Sequence, residues 1–291
     1  MFDYDAKYTE YLNFFNESLT RRLKTLSPDA PSVIKDAMEY ATVGGGKRVR
    51  PILCYATSEM LGGNLQMTEE FALAIEFIHS YSLVHDDLPA MDNDDYRRGK
   101  LATHKQFGEA IGILAGDALL NYAFETMLSK EIDYYDIRAM RLVAKASGYN
   151  GIIGGQVLDL QNEKNDNATE KDLYSTYLNK TAKLISLPVE VASTLCGEKH
   201  LEELSEYGYH LGILFQISDD IMDVEGTLEE LGKTPHKDDK VDKLTSVKLF
   251  GLQGAKDLAF KHYSAAKKII ERIDGVGFMN SFTDKLYFRK S

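Results

Sequence analysis

Leu73-Ala-Ile75-Glu-Phe77-Ile78-His-Ser-Tyr81-Ser-Leu83-Val84-His-Asp86-Asp87-Leu-Pro89 is the stretch on which the fold reading turns. Its apolar residues Leu73, Ile75, Phe77, Ile78, Leu83 and Val84 recur mostly at three- and four-residue steps, the period of a helix. The same periodicity, with only six prolines in 291 residues, predicts further helices over 5–25, 31–43, 49–61, 69–88, 109–129, 136–147, 170–195, 201–224, 246–250 and 255–273. Strand alternation nowhere competes. Polar runs at 162–170 and 226–245 read as long loops between helices, of the kind that often carries function. With no low-complexity linker and no repeat, the expectation is all-α: one domain over 1–291, folded as a single large helical bundle.

Hydrophobic side chains make up 44% of the chain, enough for a packed core, which excludes a disordered polymer. Lys and Arg number 34 against 45 Asp and Glu, a formal net charge of −11. That sign, with no long basic run, argues against nucleic acid as a partner. The two cysteines, Cys54 and Cys196, are too few for a disulfide scaffold and too isolated for a Cys-x-x-Cys motif. Near the N-terminus, Asp3, Asp5 and Glu10 stand where a secretory leader would carry lysines. No run of about eighteen apolar residues occurs, and the mean hydropathy is −0.30. A cytoplasmic protein with no membrane anchor is expected.

The opening helix runs into five aspartates within ten residues, Asp86, Asp87, Asp92, Asp94 and Asp95. On an unbroken helix Asp86 and Asp92 would point to different sides, since each residue turns the helix by about 100°. Pro89 lacks the amide that a helix needs, so the chain is expected to break there and let Asp92 fold back toward Asp86. A second cluster, Gln216-Ile-Ser-Asp219-Asp220-Ile-Met-Asp223, lies on another apolar helix and puts Asp219 and Asp223 on one face. Like charges at that spacing repel and require a cation. Oxygen-only ligands select a hard ion such as magnesium over zinc or copper. For either cluster by itself a solvated acidic face is the plain alternative; two that each open Asp-Asp on an apolar helix favour metal. A calcium loop does not fit, because Tyr96 and Arg97 stand where a ligand and a glycine belong. His79 and His85, six apart in one helix, do not form a zinc pair.

Carboxylate-bound magnesium commonly completes its shell with substrate phosphates, so cations for phosphate are expected as well. Gly44-Gly-Gly-Lys47-Arg48-Val-Arg50-Pro51 supplies them: the glycines allow close backbone approach, and Lys47 and Arg50 share a helical face. This is not a nucleotide P-loop, which needs Ser or Thr where Arg48 stands. Arg97 and Arg98 follow the first acidic cluster, where their guanidinium forks either suit paired phosphate oxygens or neutralise the neighbouring aspartates.

GGGKRVRP at 44–51, IHSYSLVHDDLPAMDNDDYRRG at 78–99, FGEAIGILAGDALL at 107–120, GGQVLDL at 154–160, NKTAKLI at 179–185, FQISDDIMDVEG at 215–226 and LGK at 231–233 resemble the trans-isoprenyl diphosphate synthases, or polyprenyl synthetase family, and among them the bacterial farnesyl diphosphate synthases most. The resemblance covers nearly the whole chain, and the two aspartate motifs in this order make it specific. It implies the isoprenoid synthase fold, a helical bundle around a central substrate cavity, assembled as a homodimer. It also implies magnesium-dependent prenyl transfer: an allylic diphosphate, dimethylallyl or geranyl, ionises, isopentenyl diphosphate attacks the cation, and a proton is lost.

Carried over by position, the resemblance assigns Asp86, Asp87, Asp92, Asp219, Asp220 and Asp223 to magnesium, three ions in the family. Lys47, Arg50, His79 and Arg98 would bind isopentenyl diphosphate, and Arg97, Lys180, Lys233 and Lys243 the allylic diphosphate. Thr181 and Gln216 would face the cation. Tyr81, five residues before Asp86, would stop growth at the fifteen carbons of farnesyl diphosphate, unless it is simply a core aromatic.

Some positions depart from the family pattern. Leu101-Ala102-Thr103-His104 stands where relatives have Pro-Thr before the histidine, and Lys180-Thr-Ala-Lys183 replaces Lys-Thr-Gly-Ala, adding a charge of unassigned direction. Around Asp242-Lys243-Leu-Thr-Ser246 a glycine and a Tyr-Pro are missing, which weakens the assignment of Lys243. The C-terminal Arg289-Lys290 is expected to fray rather than close over isopentenyl diphosphate. The alternatives are a geranylgeranyl diphosphate synthase and a non-catalytic regulatory subunit, although such subunits typically lose aspartates or arginines that this chain keeps. Terpene cyclases and head-to-head synthases lack the Lys47–Arg50 pocket.

Overall fold

A computed structural model describes residues 2–163, 165–225 and 243–289. These residues are almost entirely helical, in agreement with the periodicity. In chain order they form α1 (Tyr4–Leu23), α2 (Ser32–Thr42), α3 (Val49–Met60), α4 (Leu65–Asp86), β1 (Tyr96–Arg97), β2 (Lys100–Leu101), α5 (Thr103–Phe107), α6 (Glu109–Met127), α7 (Tyr134–Ser147), α8 (Ile152–Asn162), α9 (Glu170–Tyr177), a π turn (Leu178–Ala182), α10 (Lys183–Leu195), α11 (Leu201–Glu225), α12 (Ser246–Asp274) and α13 (Phe278–Tyr287). They gather into two compact units, one of residues 5–59 with 63–134, the other of the residues from Tyr135 onward with 60–62 and those up to Tyr4.

In the first unit α4 is the core element. Asn64 caps it by accepting the Met67 amide at 3.0 Å, which starts the helix at Leu65. Phe71, Leu73, Ile75, Phe77 and Ile78 are all buried, the pattern of a helix packed on every side, against α6 and α2. The two-residue ladder pairs Tyr96 with Leu101 and Arg97 with Lys100. It is too short to leave an alternation in the sequence.

In the second unit α11 is central, against α12, α10 and the π turn. The single helix expected over 170–195 is three pieces: α9, opened by a Thr169–Asp172 capping box, then the π turn, then α10 with Pro188 inside. Apolar periodicity does not distinguish one inserted residue from a regular turn. The segments expected at 246–250 and 255–273 are the two halves of α12, which kinks at Gly251 (φ 70°, ψ 167°). Periodicity gives no sign of α5, α8 or α13. α8 contains Gly154 and Gly155, poor helix formers, yet a Cβ at Gly155 would lie 2.2 Å from the Lys180 amide nitrogen, so the packing demands glycine there. α13 follows Gly275 and Gly277, and its Tyr287 stacks on Tyr263 with ring centroids 4.3 Å apart.

Candidate active site

In the first unit α4 ends at Asp86, three residues before Pro89, and the chain turns back on itself. The Asp92 amide donates to the Asp86 carbonyl at 2.9 Å, and the Asn93 amide to the Leu88 carbonyl at 3.1 Å. Asp86 and Asp92 are thereby adjacent and half-buried. Asp87 behaves differently. It is 2% exposed and receives the Arg97 Nε on both carboxylate oxygens, at 2.9 and 3.3 Å, while Arg97 Nη2 donates to Asp87 and, at 3.2 Å, to Asp94. Burial raises the Asp87 carboxyl above its ordinary range, and Arg97 pulls it only part of the way back. Asp87, assigned to a metal, and Arg97, assigned to a diphosphate, are paired with each other.

Gly44, Gly45 and Gly46 all adopt positive φ (128°, 110° and 99°), a run that only glycine sustains without strain. The loop delivers three basic residues to different places. Lys47 is exposed, and its carbonyl accepts the Tyr8 hydroxyl. Arg48 turns inward, donating to Glu76 at 2.7 Å and to the Thr42 carbonyl at 2.6 Å. Arg50, on α3, acts electrostatically on His79 of α4, as do Arg98, Arg48 and Arg97; burial first, and then these guanidinium groups, hold the His79 imidazole well below its ordinary pKa. Arg98 occupies the turn between β1 and β2 and donates to the Gly45 carbonyl at 3.1 Å. The Leu101-Ala102 departure leaves this hairpin intact, with the Ala102 amide on the Asp95 carbonyl at 2.8 Å and the Leu101 carbonyl accepting Tyr40 at 2.8 Å. Tyr81 is buried, edge-on to His85 with centroids 5.8 Å apart, and burial pushes its phenol up to about 12.

The second unit holds a polar cavity of about 150 Å³ whose lining includes Lys180, Thr181, Gln216, Asp219 and Lys243. Its floor is a continuous hydrogen-bonded chain. Thr181 donates to Gln216 Oε1 at 2.7 Å, and Gln216 Nε2 donates to Asp220 Oδ1 at 3.1 Å. Asp220 Oδ2 takes the Tyr177 hydroxyl together with the Ser246 amide and hydroxyl, both at 2.7 Å. Burial pushes the Asp220 carboxyl up to about 7, against the downward pull of these donors. Asp220, like Asp87, is held by protein contacts on its carboxylate oxygens. Ser246, a departure from the family pattern, is one of the residues that hold it.

Asp219 is the outward member of the second cluster, its side chain 39% exposed, and Arg289 donates to its Oδ1 at 2.5 Å. Arg289 also donates to the Phe215 carbonyl at 3.0 Å and lies over the Phe215 ring at 4.5 Å, so it does not fray as expected. Asp223 is buried, one turn further along α11. Lys180 Nζ stands 2.5 Å from Asp159 Oδ2, with Lys243 Nζ at 3.7 Å from the same oxygen. Asp159 is absent from the sequence-derived set; its sign was a lone acid in the GGQVLDL run of α8. Lys233 and Lys290 lie outside the described residues.

A hard divalent cation fits what is present. Asp86, Asp92, Asp219 and Asp223 offer carboxylate oxygen alone, and a guanidinium already stands in for positive charge on Asp219. Among the described residues no three Asp, Glu, His or Cys side chains gather to hold an ion by themselves.

Residues 31–274 match the profile of a protein family described as polyprenyl synthetase. The chain is 41% identical over 280 residues to a farnesyl diphosphate synthase of Micrococcus luteus, covering 95% of this chain and 92% of that protein. It is 43% identical over 249 residues to a chloroplastic geranylgeranyl pyrophosphate synthase of Capsicum annuum, covering 84% and 68%. Among solved structures, a geranyltransferase of Helicobacter pylori complexed with magnesium and isoprenyl diphosphate superposes with a TM-score of 0.79 at 30% identity, over 95% of this chain and 96% of that one.

Proposed function

Because the chain belongs to the polyprenyl synthetase family, we propose that it extends dimethylallyl or geranyl diphosphate with isopentenyl diphosphate and releases farnesyl diphosphate. The reaction class itself, magnesium-dependent joining of isopentenyl diphosphate to an allylic diphosphate by a short-chain trans-prenyltransferase, follows from the relatives' close similarity. The product length rests on one observation: Tyr81 is a buried aromatic on α4, nearly one and a half turns before the first acidic cluster. A bulky side chain there closes the path of a growing chain.

Asp86 and Asp92 in one cluster, and Asp219 and Asp223 in the other, would hold magnesium, three ions in all, with oxygens of the diphosphate completing the shell. Bound there, the metal makes diphosphate a good leaving group by neutralising its charge. Asp87 and Asp220 serve as supports: one fixes Arg97, the other fixes Gln216. Lys47, Arg50, His79 and Arg98 take the diphosphate of isopentenyl diphosphate, His79 as a neutral donor among guanidinium groups. Lys180, Lys243 and Lys233 take the allylic diphosphate, with Asp159 orienting the first two. Gln216 Oε1, shared with the Thr181 hydroxyl, presents a carbonyl dipole that stabilises the allylic cation. The departing diphosphate accepts the final proton. Water must be kept out, since it would quench the cation to an alcohol.

Among the described residues no helix is long and apolar enough to cross a membrane. We place the enzyme in the cytoplasm as a single-domain chain and a homodimer, the arrangement implied by its family. Incubation of purified protein with isopentenyl and dimethylallyl diphosphates and magnesium should yield a fifteen-carbon product by chromatography, and Tyr81→Ala should lengthen it. A twenty-carbon product from the unaltered chain would make it a geranylgeranyl diphosphate synthase and remove Tyr81 as the floor.

A further inference from the structure

Lys183, the first residue of α10, is the charge whose direction the sequence leaves open. It turns away from the polar cavity: its ammonium donates to the Asn150 carbonyl, in the loop between α7 and α8, and to Asn179 Oδ1 in the π turn, each at 2.6 Å. The Asn179 amide is itself oriented, because its Nδ2 donates to the Ser175 carbonyl at 2.8 Å and so presents Oδ1 to the lysine.

A π turn inserts an extra residue into an α-helix and is rare, so its shape depends on what surrounds it. Backbone packs closely on two sides. A Cβ at Gly155 of α8 would lie 2.2 Å from the Lys180 nitrogen, and one at Gly212 of α11 would lie 2.4 Å from the Ala182 Cα. Another side is open: Leu178 borders a cavity of about 700 Å³, separate from the polar one, with Lys183 in its wall. Among the described residues no packed side chain fills that space, and Lys183 spans from the turn to the Asn150 loop beside it. The same turn presents Lys180 to Asp159 at 2.5 Å and Thr181 to Gln216 at 2.7 Å.

We propose that Lys183 is a positioning residue, a strap that ties the π turn to the loop between α7 and α8 and thereby fixes Lys180 and Thr181 for the allylic substrate. It rests on the assignment of Lys180 to the allylic diphosphate and reaches beyond that assignment to a residue that touches no substrate.

The test uses the whole enzyme with Lys183→Met, which keeps the aliphatic stem and removes the ammonium, Asn179→Ala, the double variant, and Lys183→Arg. Lys183→Met is expected to raise the KM for the allylic diphosphate about tenfold, the scale of a small misplacement of a binding group, while the KM for isopentenyl diphosphate stays put. Amide hydrogen exchange should quicken over 178–183 and not in α4. The double variant should be no worse than the more affected single variant, and Lys183→Arg should recover part of the loss. Unchanged exchange over 178–183, equal rises in both KM values, or multiplied effects in the double variant would each overturn the strap. Faster exchange in Lys183→Met, together with an allylic KM indifferent to Lys180→Ala, would overturn the role of Lys180 and leave the strap standing.

Discussion

Replacing Arg48 with methionine should destabilise the first unit by about 3–5 kcal/mol, the range for stranding one member of a buried ion pair. The side chains of Arg48 and Glu76 are only 3% and 2% exposed, with Nη1 and Oε1 2.7 Å apart. Removal of the guanidinium strips the buried Glu76 carboxylate of its 2.7 Å partner. It also leaves the Thr42 carbonyl without its 2.6 Å donor and the Phe15 ring without the cation 5.5 Å from its centroid. Arg48→Met with Glu76→Leu removes both charges and should recover most of the loss, to within about 1–2 kcal/mol of the parent, because no charge is then left in apolar surroundings. Urea unfolding followed by far-ultraviolet circular dichroism on the parent, both single variants and the double variant gives the cycle directly. Since Arg48 also anchors the loop that carries Lys47 and Arg50, the KM for isopentenyl diphosphate should rise in the single variant. A single-variant loss below about 1 kcal/mol, the scale of an exposed pair, or a double variant no better than the single, would refute the reasoning.

Other expectations follow from neighbouring features. Burial, seconded by His210 and Lys261, pushes His262 down to about 4, and its Nδ1 lies 2.9 Å from that of His210. A histidine depressed in the folded state contributes fully above its unfolded pKa of about 6.5, and up to about 3 kcal/mol is lost as pH falls toward the folded value. His262→Gln should flatten that acid limb in urea titrations; an unaltered slope would exclude His262 as its source. Arg289→Gln should tighten manganese binding, read by electron paramagnetic resonance without substrate, by about fivefold, since a partly exposed ion pair on Asp219 contributes up to about 1 kcal/mol; equal or weaker binding would remove Arg289 as a competing cation. Asp159→Asn should raise the KM for the allylic diphosphate and leave that for isopentenyl diphosphate alone, because Lys180 and Lys243 both lie against the Asp159 carboxylate; the opposite pattern in initial-rate kinetics would reassign both lysines.

Apolar spacing, the amide missing from Pro89 and the run of glycines at 44–46 act within a turn or two of the chain. Most of the helices, the return of Asp92 to Asp86 and the family motifs were therefore legible before any coordinates. The roles inside each motif were not. Asp219 and Asp220 are neighbours with the same side chain, yet one is half-exposed under Arg289 and the other is buried among Tyr177, Gln216 and Ser246. Lys47, Arg48 and Arg50 read as one basic run, but Glu76, on another helix, takes the middle one inward. α8 forms across a pair of glycines because its backbone packs on the π turn, and Arg289 stays ordered because Phe215 and Asp219 hold it. Sequence alone determined most of the helical segments and the class of chemistry the chain carries, since backbone preference and amphipathic period are local. Tertiary structure decided which of several identical charges faces solvent and which supports the others, since burial and counter-ions come from residues distant in the chain.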